Sequence, residues 1–541
     1  MSVQVNFPNG GAFTLATNSM ARVASENSSD GGLHTFVVGS PSHPDVPRDR
    51  LAKWMQERIE RGHLGDFSAV EGIFSVFVVD CRDGVLHVLT DVLGLRPLYV
   101  RRKDNDVWLS TRVGTKWDAK AFSAAINMDA VRSWACFGYN ATDGALWQGW
   151  RRLPGAVHLL VSRAGEQERA YHRLAFSARQ AGADELTDRM IASVERSFST
   201  QTAGLSSCKL SLSGGFDSRL LAGIGSRQRL PGFQVSVVNG SGNWRDRLAN
   251  ESTESRLARE ACKRLGLPLN VIELGRDVWE SFGEPFHLMA DGFPITKQLI
   301  ALIVGNGQSS PVINGFLGDS LMRGSWDCID GKPEQSFKGG DLVDMMLRRH
   351  SQLPAYLLVD KPARLLTDWA RSFLGKAMAP HYAAERAVFM LDLEMRQRFY
   401  MSNNFLQHLH QCEPVLPFAT AELVDLKLSI GNGVLTLDSF RNGIRRRFPE
   451  IGDVPHSSDI RRSRPQRFRL ASYTNRQWTR HALASLRRKN ALALFNRRIL
   501  VPRLLVGAVD ARLEFVAETA MRFLMLERLA KHLGVEMDWE R

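Results

Sequence analysis

The chain is poor in the features that would place it outside the cell or in a membrane. No run approaches the roughly 20 apolar residues of a membrane span. The start, Met1-Ser-Val-Gln-Val-Asn-Phe-Pro, lacks the basic segment and apolar core of a signal peptide. The six cysteines, at 81, 136, 208, 262, 328 and 412, include no CxxC pair. That spacing excludes a zinc ribbon and a disulfide framework and fits reduced thiols in a cytoplasm. Internal repeats and low-complexity tracts are absent. No Gly-Lys-Ser/Thr follows a glycine loop, so a Walker-type phosphate loop is excluded. Lysine is missing from the whole stretch between Lys427 and Lys489.

What is present is a soluble globular composition, 44% hydrophobic and 23% charged, over 541 residues, too many for one ordinary core. The net charge of +13 is uneven: from Arg441 to Arg503 there are sixteen arginines against Glu450, Asp453 and Asp459. Such a face suits an acidic peptide or polyphosphate. No recognised nucleic-acid module accompanies it, so nucleic acid is not expected as a partner.

The first ~175 residues are rich in short alternating runs. Gly72–Asp80 and Gly84–Thr90 read as paired strands across an Arg82-Asp83-Gly84 turn. Arg96–Arg101, Val107–Thr111 and Ala156–Ser162 continue the series, giving a sheet-rich α+β domain. A helical stretch around 178–200 makes the link. From Leu205 on, strands at Phe233–Val238 and Asn270–Leu274 alternate with a helix, Ser255–Gly266, closed by its glycine. Beyond Leu342 the pattern is mainly helical. The expected division is 1–178, a sheet domain, and 179–541, a doubly wound parallel sheet with a basic helical C-terminal part.

The most informative residues are Ser211-Leu-Ser-Gly-Gly-Phe-Asp-Ser218. They read as the end of a strand, a glycine turn and a helix start, which points backbone N–H groups and the helix dipole at an anion. Gly214 and Gly215 permit close approach, and Ser213 and Ser218 add hydroxyls. Asp217 cannot bind phosphate itself, so its carboxylate suggests a bridging Mg²⁺. A second turn, Pro311-Val-Ile-Asn-Gly-Phe-Leu-Gly-Asp-Ser320, ends another strand and offers Gly315, Gly318 and Asp319. Asp217 and Asp319 at the ends of neighbouring strands can share one metal. The bland alternatives are a glycine turn that binds nothing and a solitary turn aspartate. His408-Leu-His-Gln-Cys412 reads as a packed helix and not as a metal site.

The Ser213–Ser218 loop resembles the SGGxDS pyrophosphate loop of ATP-pyrophosphatase enzymes. With Gly315–Ser320, Glu251–Ala258 and Glu413-Pro-Val-Leu-Pro-Phe418 it is similar to the asparagine synthetase superfamily. In the N-terminal part, Gly72–Asp80, Asp91–Tyr99, Phe137-Gly138 and Arg152–Gly155 resemble the glutamine amidotransferase (Ntn-type) domain of that family. The resemblance covers about residues 65–465. It implies ATP on a loop contributed by Ser211, Ser213, Gly214, Gly215, Asp217, Ser218, Gly315 and Gly318, with Mg²⁺ on Asp217 and Asp319.

The departures direct the reading further. A glutaminase of this type uses an N-terminal cysteine; here residue 2 is Ser2, so the domain reads as a degenerate scaffold and the amine comes from the substrate. Phe316 stands where relatives carry an acid or tyrosine, and the family's late lysine is missing. Arg461 and Arg462 are the expected charge-stabilising residues, and Tyr400, with Glu394 and His456, a proton acceptor by region only. The resemblance thus implies a lasso-type peptide cyclase acting in the cytoplasm. Such an enzyme adenylates an Asp or Glu side chain of a precursor peptide, and the peptide's N-terminal amine then closes a macrolactam, with AMP and pyrophosphate released. A leader peptidase and a leader-binding protein are the implied partners. The alternatives are an asparagine-synthetase-like or β-lactam-synthetase-like ligase on a small molecule, and a non-catalytic nucleotide- or peptide-binding scaffold.

Overall fold

The computed structural model describes residues 2–6, 12–16, 23–27, 32–103, 106–111, 127–145, 147–174, 181–239, 251–273, 310–323, 328–329, 332–333, 339–351, 353, 355–379, 387–402, 413–430, 434–456, 459–460, 473–486, 491–510 and 513–532.

The N-terminal part holds two antiparallel sheets. One contains β1 (Ser2–Asn6), β2 (Ala12–Ala16), β7 (Tyr99–Lys103), β8 (Asp106–Ser110) and β9 (Arg151–Arg152), in the order β2-β1-β8-β7-β9. The other contains β3 (Val23–Asn27), β4 (Leu33–Gly39), β5 (Phe74–Asp80), β6 (Val85–Thr90), β10 (Val157–Ser162) and β11 (Gly165–Ala170), in the order β11-β10-β6-β5-β4-β3. Alternation explains why β5 is buried along its whole length. Phe77 and Val79 pack with Leu98, Val100, Val107 and Leu109 of the facing sheet. Phe74, Val76 and Val78 point the other way and pack against Leu51, Met55 and Ile59 of the helix Arg48–Glu60. The β5–β6 pairing expected from the sequence is present.

The expected strand at Arg96 begins later, at Tyr99. The fully buried Asp91 carboxylate accepts the N–H groups of Leu93, Leu95 and Arg96 at 3.2, 2.9 and 2.8 Å, and that capped turn occupies the segment.

The second half is built on a parallel sheet of β12 (Cys208–Ser211), β13 (Phe233–Asn239), β14 (Leu269–Glu273), β15 (Val312–Ile313) and β18 (Pro414–Val415), with a two-stranded hairpin, β16 (Cys328–Ile329) and β17 (Lys332–Pro333), apart from it. The order β14-β13-β12-β15-β18, parallel throughout, is doubly wound. Helix Phe216–Gln228 connects β12 to β13. Helix Thr253–Leu265, capped by Ser252 and stopped by Gly266 in the left-handed conformation, connects β13 to β14. The strand order reverses between β12 and β15, which makes the crevice at their C-terminal ends the favoured ligand position. The linking helix spans Ala183–Thr202. The boundary expected at 178/179 lies outside the described residues.

Beyond Leu342 the described residues are mainly helical, with two corrections to the sequence expectation. β18 completes the sheet from within that region. The arginines at the start of the basic stretch are not a free face. Arg446 pairs with Asp184 and Asp188, Arg447 with Glu195, Arg445 with Asp453, and Arg441 with Asp438 and Asp459. Three of these acidic partners lie on helix Ala183–Thr202, against which helix Leu437–Arg447 packs through Gly443, Phe440 and Ile444, with the charges flanking the contact.

Candidate nucleotide site

Both sequence-selected loops sit at the strand-order reversal. β12 ends at Ser211, and the next helix starts after Gly215. Between them the loop is tied to itself. The Ser213 and Ser218 hydroxyls lie 2.9 Å apart, the Ser213 N–H donates to Ser218 Oγ (3.0 Å), and the Gly215 N–H donates to Ser213 Oγ (3.2 Å). These hydroxyls therefore shape the loop, where the sequence suggested donors to an anion.

β15 feeds the second loop. Leu317 adopts φ 68°, a left-handed conformation that costs a branched residue about 1 kcal/mol or more, and it directly precedes the short helix Gly318–Met322. Burial of the Leu317 side chain in the common core holds that turn. The two loops touch through glycine. A Cβ on Gly318 would lie 2.7 Å from Asp217 Cγ and 2.8 Å from its Oδ1, and one on Gly315 would lie 3.2 Å from Asp217 Cβ. At Gly318 only hydrogen leaves the carboxylate its space.

Asp217 and Asp319 come together, as expected, but the structure adds a residue that sequence reasoning missed. Arg323 Nη2 lies 3.5 Å from Asp217 Oδ2 and 3.5 Å from Asp319 Oδ2. The two carboxylate oxygens are thus within twice that distance of each other. The Asp217 side chain is 17% exposed and that of Asp319 40%. Asp217 Oδ1 is buried with no hydrogen-bond partner. Burial pushes the Asp217 carboxyl up to about 7, with Arg323 opposing the rise and the Asp319 charge adding to it. Two carboxylates converging on one cation, one with an unused buried oxygen, are a donor set that fits a hard divalent ion. Among the described residues, no cluster of three or more metal-ligating side chains occurs.

A second missed residue is Arg219, fully buried immediately after Ser218. Its Nε donates to Gly215 O (3.1 Å), and its Nη2 to Gly214 O (3.3 Å) and Pro455 O (3.3 Å). Its Nη1 donates to Val454 O (2.5 Å). The guanidinium lies 4.5 Å over the Phe216 ring. Burial lowers its pKa to about 10. Because C=O and N–H point oppositely across a trans peptide, pinning the Gly214 and Gly215 carbonyls fixes where the N–H groups of Gly215 and Phe216 point. His456 follows the stapled carbonyls and packs 4.9 Å from Phe216. Burial, then the Arg323 and Arg219 charges, lower it to about 4, so it is neutral near pH 7.

The second loop is braced from below. Gln397 Nε2 donates to Ser320 Oγ (2.9 Å) and to Asp392 Oδ2 (2.8 Å). Gln397 and Asp392 lie on a π-helix, Asp392–Met401, which also carries Glu394 and Tyr400. The Tyr400 ring stacks 5.1 Å from Tyr139 of the N-terminal half. Phe316 is buried and brings no proton acceptor to the loop. Arg461, Arg462 and the His408–Cys412 segment lie outside the described residues. Arg219 and Arg323 each left a faint signal. One directly extends the Ser-Gly-Gly-Phe-Asp-Ser loop, and the other stands four residues after Asp319, on the same side of a helical turn.

The halves are tied by buried polar contacts. Arg96 Nη1 and Nη2 meet Glu413 Oε2 and Oε1 at 3.0 and 3.3 Å. Arg398 donates to Gly94 O and Leu153 O. The thiols of Cys136, Cys208 and Cys262 are buried and pushed up to about 12, 11 and 11, which keeps them protonated; Cys81 is exposed.

Residues 59–172 match the family model of the glutamine amidotransferase domain. No curated protein matches the chain. Among the solved structures similar to it are the following three. The first is an allosteric regulatory enzyme of purine biosynthesis, at 11% identity over 46% of this chain and 62% of that one, with a TM-score of 0.17. The second is the glutamine phosphoribosylpyrophosphate amidotransferase of B. subtilis complexed with ADP and GMP, at 11% identity over 63% and 74%, TM-score 0.18. The third is the NH3-dependent NAD synthetase of Campylobacter jejuni subsp. jejuni NCTC 11168 in complex with nitrate, at 16% identity over 40% and 95%, TM-score 0.19. The chain thus spans 62% of the length of the first. Scores this low carry no inference, and the fold rests on the strand orders above. No helix among the described residues is long and apolar enough to cross a membrane.

Proposed function

We propose that this chain is an ATP-dependent carbon–nitrogen ligase that consumes ATP to AMP and pyrophosphate and closes a macrolactam in a precursor peptide. The observation that carries the reading is the meeting of Asp217 and Asp319 at the strand-order reversal, beside a glycine loop at a helix N-terminus. In this reading a side-chain carboxylate of the peptide attacks the α-phosphorus of ATP and pyrophosphate leaves. The peptide's N-terminal amine then attacks the activated acyl carbon and AMP leaves.

Asp217 and Asp319 would hold Mg²⁺, which when bound offsets the charge of the triphosphate. The Gly215 N–H is held by Ser213 Oγ, so the loop donor that would face the phosphates is the Phe216 N–H, aimed by Arg219 through the Gly215 carbonyl. Gly318 leaves the Asp217 carboxylate the space it occupies. The neutral His456, packed on Phe216, is the described candidate proton acceptor, whereas the Tyr400 ring stacks on Tyr139. With the amine held on the same chain as the acyl group, proximity supplies much of the rate and lessens the demand on a base. The peptide substrate, a leader peptidase, a leader-binding protein and cytoplasmic action follow from the superfamily resemblance of the loops. So does the division at about residue 178 into a degenerate amidotransferase-like domain and a ligase domain. The basic residues Arg461 and Arg462 are assigned the developing phosphate charge on the same ground.

The test is pyrophosphate exchange into ATP, with peptides that carry a free α-amine and an internal Asp or Glu. Peptide-dependent exchange is expected from the native chain and none from Asp217→Ala. Exchange that persists in Asp217→Ala refutes the site. Exchange with small amino acids and none with peptides selects the small-molecule ligase, and nucleotide binding with no exchange selects a scaffold, which the buried Phe316 would favour.

A further inference from the structure

The contacts of Arg323 are not those of a structural ion pair. A charge-assisted hydrogen bond between guanidinium and carboxylate closes to about 2.7–2.9 Å, often two-pronged. This chain builds such pairs elsewhere: Arg447 Nε and Nη2 meet the two oxygens of Glu195 at 2.8 and 2.7 Å. Arg323 instead shares one nitrogen between two carboxylates, each at 3.5 Å. Its Nε is buried with no hydrogen-bond partner, and so is Asp217 Oδ1. An unused donor and an unused acceptor thus lie on partners a few ångströms apart. The donor suits an anion and the acceptor a cation. The side chain is 24% exposed and sits at the end of the short helix Gly318–Met322, so its head group can move without unpicking the core.

We infer that Arg323 is a built-in counter-ion of the metal position, which holds Asp217 and Asp319 while the site lacks nucleotide and turns to the phosphates when a metal–nucleotide complex takes the carboxylates. Two carboxylates this close, one of them largely buried, repel each other unless a cation lies between them. A guanidinium supplied by the chain relieves that repulsion without a bound ion. It also disfavours metal alone, because a divalent ion entering by itself must displace a positive charge that then has nowhere to go. When the metal arrives with a triphosphate, the displaced guanidinium gains an anion. Metal and nucleotide therefore bind as a pair. This inference rests on the nucleotide reading of the two loops.

The experiment measures Mn²⁺, as a stand-in for Mg²⁺, by the loss of the free-ion paramagnetic resonance signal in the full chain without nucleotide. Removing an adjacent unit charge is expected to tighten Mn²⁺ binding by at least about tenfold in Arg323→Met relative to the native chain. Arg323→Lys, which keeps the charge, stays close to native. Arg323→Gln gives a second uncharged variant, read in the same way should the methionine variant fold poorly. Calorimetric titration with ATP in excess Mg²⁺ should move in the opposite direction, with binding to Arg323→Met weaker by about tenfold. Mn²⁺ affinity equal in the native chain and both uncharged variants overturns the inference, as does ATP affinity that rises together with metal affinity. A native chain that binds no ATP at any Mg²⁺ concentration overturns the nucleotide reading instead, while the Mn²⁺ comparison still decides the role of Arg323 as counter-ion.

Discussion

Replacing Arg219 by methionine should loosen the phosphate loop and the segment it is stapled to while leaving the rest of the protein folded. The side chain makes four hydrogen bonds to backbone carbonyls, two on the loop and two at Val454 and Pro455. Charge-assisted bonds of this kind contribute at least ~1.5 kcal/mol each, or ~6 kcal/mol together. Against this stands the cost of keeping the buried guanidinium charged. Its pKa falls from 12.5 to about 10, which is worth about 3 kcal/mol. The net local loss on truncation is therefore about 3 kcal/mol. Methionine keeps the contact with Phe216 but satisfies none of the four carbonyls.

A loss of about 3 kcal/mol corresponds to a rise of about 10²-fold in local opening. Hydrogen exchange should accelerate by that factor at amides of residues 213–216 and at those of Val454 and His456, with amides of β5 and β10 unchanged. Affinity for ATP should fall by a similar factor, because the Phe216 N–H is no longer aimed. Arg219→Lys should recover only part of each effect, since an ammonium cannot span both segments as a planar fork does. Unchanged exchange in both segments would refute the staple. Uniform acceleration across the whole chain would show instead that Arg219 supports only global stability.

Gly318→Ala should abolish detectable ATP binding with little change in melting temperature, because its methyl group would occupy the space of the Asp217 carboxylate; retained binding by titration calorimetry would contradict this. Glu413→Ala should cost about 3–5 kcal/mol in urea unfolding, whereas Arg96→Met with Glu413→Leu should recover most of it, since the damage is an orphaned buried charge; an additive double variant would count against that. His456 has its folded pKa lowered to about 4 from 6.5, so its stabilisation is complete above about pH 6.5 and is lost as the pH falls toward 4. The native chain should therefore lose ~2–3 kcal/mol more than His456→Gln between pH 7 and 4, measured by paired urea titrations, and parallel losses would remove His456 as the cause.

The elements that local pattern controls were legible. β5 and β6 were visible as alternating runs across a glycine turn, and helix Thr253–Leu265 as a serine cap and a terminal glycine. The pairing of Asp217 with Asp319 was legible because each follows glycine at the end of a strand, and parallel sheets put such ends side by side. The illegible parts are long-range. β18 is two residues, one a proline, on the edge of the parallel sheet, and no propensity marks it as a strand. The docking of Arg446 and Arg447 joins residues some 250 positions apart, so the sequence showed a basic run where the structure has a neutralised helix pair. Arg219 and Arg323 have only their places beside the loop and four residues after Asp319 to mark them, and their partners, the carbonyls and carboxylates, come from the fold.

The same long-range contacts tie the N-terminal half to the two loops. Ile73, Val92, Leu95, Phe137 and Tyr139 from that half share one continuous core with Leu210, Phe216, Ile313 and Leu321, which lie beside the two loops. Arg398 sits on the π-helix whose Gln397 holds Ser320, and it donates to carbonyls of Gly94 and Leu153 in the N-terminal half. Glu413 precedes β18, the edge strand paired with β15, and is anchored by Arg96. Removing the N-terminal half would orphan Arg398 and Glu413 and expose the far side of the core that fixes Leu317 in its left-handed turn. The N-terminal half therefore braces the elements that hold the second loop, through the contacts of Arg398 with Gly94 and Leu153 and of Arg96 with Glu413.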